Sequence, residues 1–87
     1  MELRLPKGLA DAPAPRTITF PNDIDIASIG DLLGVLKVRE PEVHEELAAM
    51  DSVFSLVVNG HVVMSNLEGQ PLKAGDVIEA MPFVSGG

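Results

Sequence analysis

Asn59-Gly60 stands between two apolar alternations, and no other dipeptide in the chain narrows the fold so far. Phe54, Leu56 and Val58 alternate before it, and residues 61–64 return after it. A two-residue hairpin turn needs positive φ at both central positions, which glycine adopts freely and asparagine tolerates. Two antiparallel strands are therefore expected side by side, with one apolar face. A lone hairpin does not hold in water, so other elements must cover that face. The 87 residues suffice for one domain and one modest core.

The covering elements are legible in the rest of the chain. Leu3 and Leu5 alternate with Glu2 and Arg4, which predicts a short strand ending at Pro6. Residues 7–15, with Gly8, Pro13 and Pro15, read as a loop. Residues 16–20 alternate again, with Ile18 and Phe20 inward. Pro21-Asn22-Asp23 reads as a turn. Ser28 then caps a helix, with Asp31 near its positive end. Ile29, Leu32, Leu33 and Leu36 share one face of that helix. Gly30 and Gly34 weaken it, and are expected to permit close approach to the sheet. Pro41 suits the first position of a second, short helix with Val43, Leu47 and Met50 inward. Lys73-Ala74-Gly75-Asp76 makes a tight turn into a last strand over residues 77–81, with Ile78 and Ala80 on one face. Pro82 is expected to end its pairing, leaving residues 1–82 as the domain and 83–87 as a tail. The order is α+β: strand, strand, helix, helix, strand, strand, strand. It is compatible with a β-grasp, a mixed sheet of about five strands against one main helix and a second short one. Order alone does not fix the topology.

Composition removes several functions. There is no cysteine, which excludes disulfides, a thiolate zinc site and a cysteine nucleophile. Thirteen acidic and six basic residues give a net charge of −7, a poor match for nucleic acid or an anionic membrane. No apolar run approaches the roughly 18 residues of a membrane span, and the first residues lack the pattern of a signal peptide. A cytoplasmic setting is expected. Aromatics are only 3% of the chain, so aliphatic side chains must build the core.

Candidate sites elsewhere are weak. His44 and His61 have no clustered ligands, so no metal is expected. Glu40, Glu42, Glu45 and Glu46 lack calcium-loop spacing and read as a solvated helix face. Met50, Met64 and Met81 read as core filler. Ser28, Ser52, Ser55, Ser65 and Ser85 have no nucleophile-elbow context. Gly30 and Gly34 are not followed by a Gly-Lys-Ser/Thr phosphate loop. Nothing singles out Lys7, Lys37 or Lys73 as a conjugation acceptor.

The last third carries a more specific pattern. It runs Leu56-Val57-Val58-Asn59-Gly60, then Pro71-Leu72-Lys73-Ala74-Gly75-Asp76-Val77-Ile78, then Met81-Pro82-Phe83-Val84-Ser85-Gly86-Gly87. This resembles the MoaD/ThiS family of ubiquitin-like sulfur carriers, in which a V-N-G hairpin precedes an L-x-x-G-D-x-V turn and strand, and the chain stops at Gly-Gly. Residues 82–87 are nearest to the MoaD branch, the small subunit of molybdopterin synthase, with Phe83 where that pattern has a second proline. Over the first half the resemblance is one of element order.

The resemblance implies a function without a side-chain nucleophile. The Gly87 carboxylate, ionised at neutral pH, would be adenylated and then converted to a thiocarboxylate. ATP and a sulfur donor would be used by the activating partner, and no cofactor would be bound by the chain itself. Gly86, lacking Cβ, would let the tail thread a narrow groove, and five residues beyond Pro82 reach at most roughly 17 Å. Pro82, Phe83, Val84 and Ser85 would contact partners, Phe83 and Val84 as apolar anchors. The implied partners are a MoeB- or ThiF-like adenylating enzyme, and a MoaE-like large subunit or another sulfur acceptor; catalysis would reside in them. Sulfur supply to thiamine, tRNA or cysteine synthesis, covalent modification of proteins through Gly87, and a non-covalent interaction module are the competing readings.

Overall fold

The computed structural model describes residues 1–21, 25–48, 54–63 and 67–82. The elements are β1 (Glu2–Leu5), β2 (Arg16–Thr19), α1 (Ile29–Arg39), α2 (Pro41–Ala48), β3 (Phe54–Val58), β4 (His61–Val62) and β5 (Val77–Pro82). The strands form one sheet in the order β2-β1-β5-β3-β4. All neighbours are antiparallel except β1 and β5, which run parallel with Glu2 opposite Val77 and Leu3 opposite Ile78. The last strand is thus the central one, and this mixed sheet under two helices is a β-grasp.

Alternation sets the two faces. Leu3, Leu5, Ile18, Phe20, Leu56, Val58, Ile78 and Ala80 are buried on the helix side of the sheet. They meet Ile29, Leu32, Leu33 and Leu36 of α1 and Val43 and Leu47 of α2 in a single core. This is the apolar phase read from the strands and helices. Met50 and the Asn22-Asp23 turn fall outside the described residues.

Helix α1 begins as the sequence predicts. The Asp31 N–H donates to Ser28 Oγ at 3.2 Å, and Asp31 Oδ2 accepts from the Ala27 N–H at 3.0 Å. The helix stops at Glu40, whose φ of −138° is non-helical and which precedes Pro41. Pro41 then opens α2. The Ile29 N–H donates to Gln70 O at 2.9 Å and the Leu72 N–H to Ala27 O at 2.9 Å, so the segment after a short turn over Leu67–Gly69 straps the start of α1. A Cβ on Gly30 would lie 3.0 Å from Glu68 O, whereas one on Gly34 would meet nothing within 4 Å. The expected approach to the sheet is corrected on both counts. Gly30 admits the strap, and Gly34 faces open space.

The region read as a plain loop is more ordered than its composition implies. Its backbone closes on itself through Gly8 N–H to Ala12 O at 2.9 Å and Asp11 N–H to Gly8 O at 3.1 Å. Ala10 and Asp11 sit at positive φ, 53° and 57°. The turn drives Leu9 into the core, where it is 1% exposed. Alternation has no way to flag a single apolar plug inside a turn.

Candidate functional site at the exit of the central strand

Strand β5, which leads toward residues 83–87, is held on both sides. Parallel β1 flanks β5 on one edge and antiparallel β3 on the other, with Ser55 opposite Met81 and Phe54 opposite Pro82. Pro82 is therefore paired as the last residue of β5, a correction to the expectation that pairing stops before it. A proline lacks only the N–H, so its residue can still occupy a register position at a strand end. Phe83, Val84, Ser85, Gly86 and Gly87 lie outside the described residues.

Across β5, β3 and β4 the outer sheet face is partly apolar, with Met81 next to Pro82 and Val62 at the level of Glu79. Met81 is 47% exposed and Val62, opposite Val57, is 52% exposed. Met81 is not core filler. It is out of phase with Ile78 and Ala80, so the pleat turns it away from the helices. Met64 is outside the described residues. Glu79 lies between these apolar residues and Arg4, whose Nη1 is 3.9 Å from Glu79 Oε1 and whose Nη2 donates to Glu2 Oε2 at 3.3 Å. A shallow hollow of about 290 Å³ beside Met81 is lined by Arg4, Leu5, Pro6, Pro15, Glu79 and Ala80.

At the opposite end of β5, the Asn-Gly and Gly-Asp motifs meet. Asn59 and Gly60 have φ of 50° and 87°, the pair of positive values that the hairpin requires. Asn59 Nδ2 donates to Asp76 Oδ1 at 3.0 Å. The Val77 N–H donates to Asn59 Oδ1 at 2.9 Å, and the Asn59 N–H to Val77 O at 2.8 Å. Asp76 Oδ2 accepts from the Lys73 N–H at 2.9 Å, closing the 73–76 turn. Asp76 is 5% exposed, the one buried charged side chain among the described residues. Burial raises its carboxyl pKa, but the Asn59 and Lys73 hydrogen bonds and the charges of Lys73 and the Met1 amino group outweigh it. The balance holds the group below the usual aspartate value. These two motifs are thus a clasp that fixes where the six-residue β5 starts.

Other sequence candidates do not converge. No group of three His, Cys, Asp or Glu side chains that could hold a metal occurs among the described residues. Glu40 pairs with Arg16 at 2.9 Å, tying β2 to the end of α1. Glu42, Glu45 and Glu46 line an open hollow with Ala10 and Asp11. Among the described residues no helix is long and apolar enough to cross a membrane.

The fold recurs in known structures. SAMP1 of Haloferax volcanii is 24% identical with a TM-score of 0.62, over 99% of this chain and 97% of that one. The HVO 2177 protein of the same organism is 23% identical with a TM-score of 0.58, over 100% and 87%. A chain of the complex between subunits 1 and 2 of molybdopterin-converting factor from Helicobacter pylori 26695 is 26% identical with a TM-score of 0.57, over 99% and 96%. No curated protein sequence matches the chain. A family profile described as the ThiS family matches residues 16–87, which takes in the clasp, the central strand and the Gly-Gly pair. The chain therefore belongs to the ThiS family of ubiquitin-like sulfur carriers.

Proposed function

We propose that the chain carries sulfur on the main-chain carboxylate of Gly87. A carboxylate oxygen attacks the α-phosphate of ATP in the active site of a MoeB- or ThiF-like enzyme, releasing pyrophosphate and leaving an acyl-adenylate. A persulfide from a sulfur donor then displaces AMP, and reduction of the resulting acyl disulfide by a thiol frees the thiocarboxylate. Residues 1–82 serve as the rigid domain and 83–87 as the delivering tail. Gly86 gives slender passage, and Pro82, Phe83, Val84 and Ser85 contact the partner. Catalytic groups, ATP and the sulfur donor belong to the partners, in the cytoplasm.

The observation that carries this reading is the family match running through Gly87. It is supported by the placement of β5, which is paired with β1 as far as Glu79 and with β3 as far as Pro82, so that a tail leaving it starts from a fixed point. For the acceptor we favour a MoaE-like large subunit and molybdopterin synthesis, because the 26% identical relative is a chain of a two-subunit molybdopterin-converting factor. Sulfur supply to thiamine, tRNA or cysteine synthesis is the alternative, and conjugation to proteins would use the same activation.

The test is intact-mass measurement after incubation with an adenylating enzyme of this class, ATP and a sulfur donor. Exchange of one terminal oxygen for sulfur is expected. Neither adenylate nor mass change across several such enzymes would overturn the proposal. Isopeptide-linked adducts through Gly87 in cell lysate would point instead to protein modification.

A further inference from the structure

Asn59-Gly60 combines a reactive dipeptide with an unusual restraint. In an Asn-Gly pair the glycine nitrogen meets no side chain on its approach to the asparagine Cγ. Attack forms a succinimide and expels the side-chain nitrogen as ammonia. Water then opens the ring to aspartate or its β-linked isomer. The reaction needs no oxidant, reductant or enzyme. Asn59 and Gly60 are both exposed, and with His61 Asn59 borders a hollow of about 420 Å³ that water can enter.

The fold restrains the amide at both ends. Nδ2 is held by Asp76 at 3.0 Å and Oδ1 by the Val77 N–H at 2.9 Å. Cγ cannot swing toward the Gly60 nitrogen without breaking both bonds. The product also differs from the reactant where it matters. An aspartate at 59 loses the Nδ2–H donor and sets a second carboxylate against the buried Asp76 Oδ1.

We propose that Asn59 is a spontaneous deamidation site guarded by its own clasp: Asp76 and Val77 hold the amide shut in the folded chain, and deamidation replaces the Nδ2 donor to Asp76 with a carboxylate oxygen that opens the clasp. The groups facing this pair are the Lys73 ammonium, the Met1 amino group and His61, which lines the same hollow. Two adjacent carboxylates cannot both stay ionised cheaply, so one of the pair takes up a proton at a raised pKa. The modified clasp then re-forms around a shared proton as pH falls.

The experiment compares the folded chain with the same chain unfolded in guanidinium chloride, both held at mildly alkaline pH and mapped by peptide mass. Conversion at residue 59 is expected in both, slower in the folded chain by about tenfold or more for the two bonds that must break. Absence of conversion in the unfolded chain, or equal rates in the two, overturns the proposal. Asn59→Asp supplies an independent reading. It is expected to be less stable than wild type at pH 7 and to gain stability between pH 7 and 5, where wild type gains none from this clasp. The sign follows from a raised folded-state pKa, whose stabilisation is lost as pH rises through it. An Asn59→Asp protein with wild-type stability and wild-type pH slope sinks the carboxylate-pair argument.

Discussion

Gly30 and Gly34 lie one helical turn apart on α1 and should respond in opposite ways to the same methyl group. In a helix interior, alanine is favoured over glycine by about 0.8–1 kcal/mol. At Gly34 an added Cβ meets nothing within 4 Å, so Gly34→Ala should collect that gain in full. With an unfolding entropy of about 2.1 cal/mol/K per residue, 1 kcal/mol raises the Tm of an 87-residue domain by about 5 °C. At Gly30 the Cβ would stand 3.0 Å from Glu68 O and 3.5 Å from Glu68 Cβ. The strap cannot simply back away, because its Gln70 O and Leu72 N–H are each bonded at 2.9 Å to the start of α1. Gly30→Ala should therefore show no gain or a net loss, placing the two variants at least about 1 kcal/mol apart. Thermal unfolding followed by circular dichroism, checked by urea titration with unchanged slope, measures the gap. If Gly30→Ala stabilises as much as Gly34→Ala, the packing of residues 67–69 on α1 is slack and this account of Gly30 fails.

Four further outcomes follow, three from contacts described above and one from the proposed function. Asp76→Ala should cost about 3 kcal/mol, since it strands the Asn59 amide and the Lys73 N–H, and urea titration of the variant measures it. Because the folded-state pKa of Asp76 lies below its ordinary value of 3.8, its stabilisation is complete above that pH and fades as pH falls through the folded value; the acid limb of stability should flatten in Asp76→Ala. Leu9→Ala should lose about 2–5 kcal/mol in chemical denaturation, a core-sized effect from a residue in a turn. Appending one residue after Gly87 should abolish activation by the adenylating enzyme while leaving the melting curve unchanged, as read by intact mass and circular dichroism.

Much of this was legible because it is local. Ser28 and Asp31 announce the helix start, Pro41 the second helix, and Asn59-Gly60 the hairpin, each through backbone demands that only a few residue types meet. The apolar phase of every strand was readable too. Met81 shows the cost of setting phase aside: its type suggested the core, while its place one step from Ala80 put it on the outer face. What could not be read was non-local. Element order is compatible with a β-grasp, but nothing in residues 2–5 says that they will lie parallel to residues 77–82. The Leu9 plug depends on a cavity that other segments create, and Gly30 on a strap nearly forty residues downstream. Phase predicted inward and outward residues well, but it is blind to which outward residues gather. Val57 and Val62 drew no notice singly, and only the strand register sets them on one face with Met81.

The central place of β5 has a consequence for how the protein is made. Strands β1 and β2 can pair as soon as they are synthesised, but the β1–β5 ladder joins residues some seventy-five apart, and contacts of such separation form slowly. A ribosome-bound chain must wait until residue 82 has emerged before its sheet can close. Up to then, β1 and β3 expose the edges that β5 will fill, the kind of unpaired edge on which other chains can add. The same order works as a check on readiness. The strand that completes the sheet is the one that precedes residues 83–87, so under the proposed function a Gly87 presented by a properly paired β5 belongs to a finished domain.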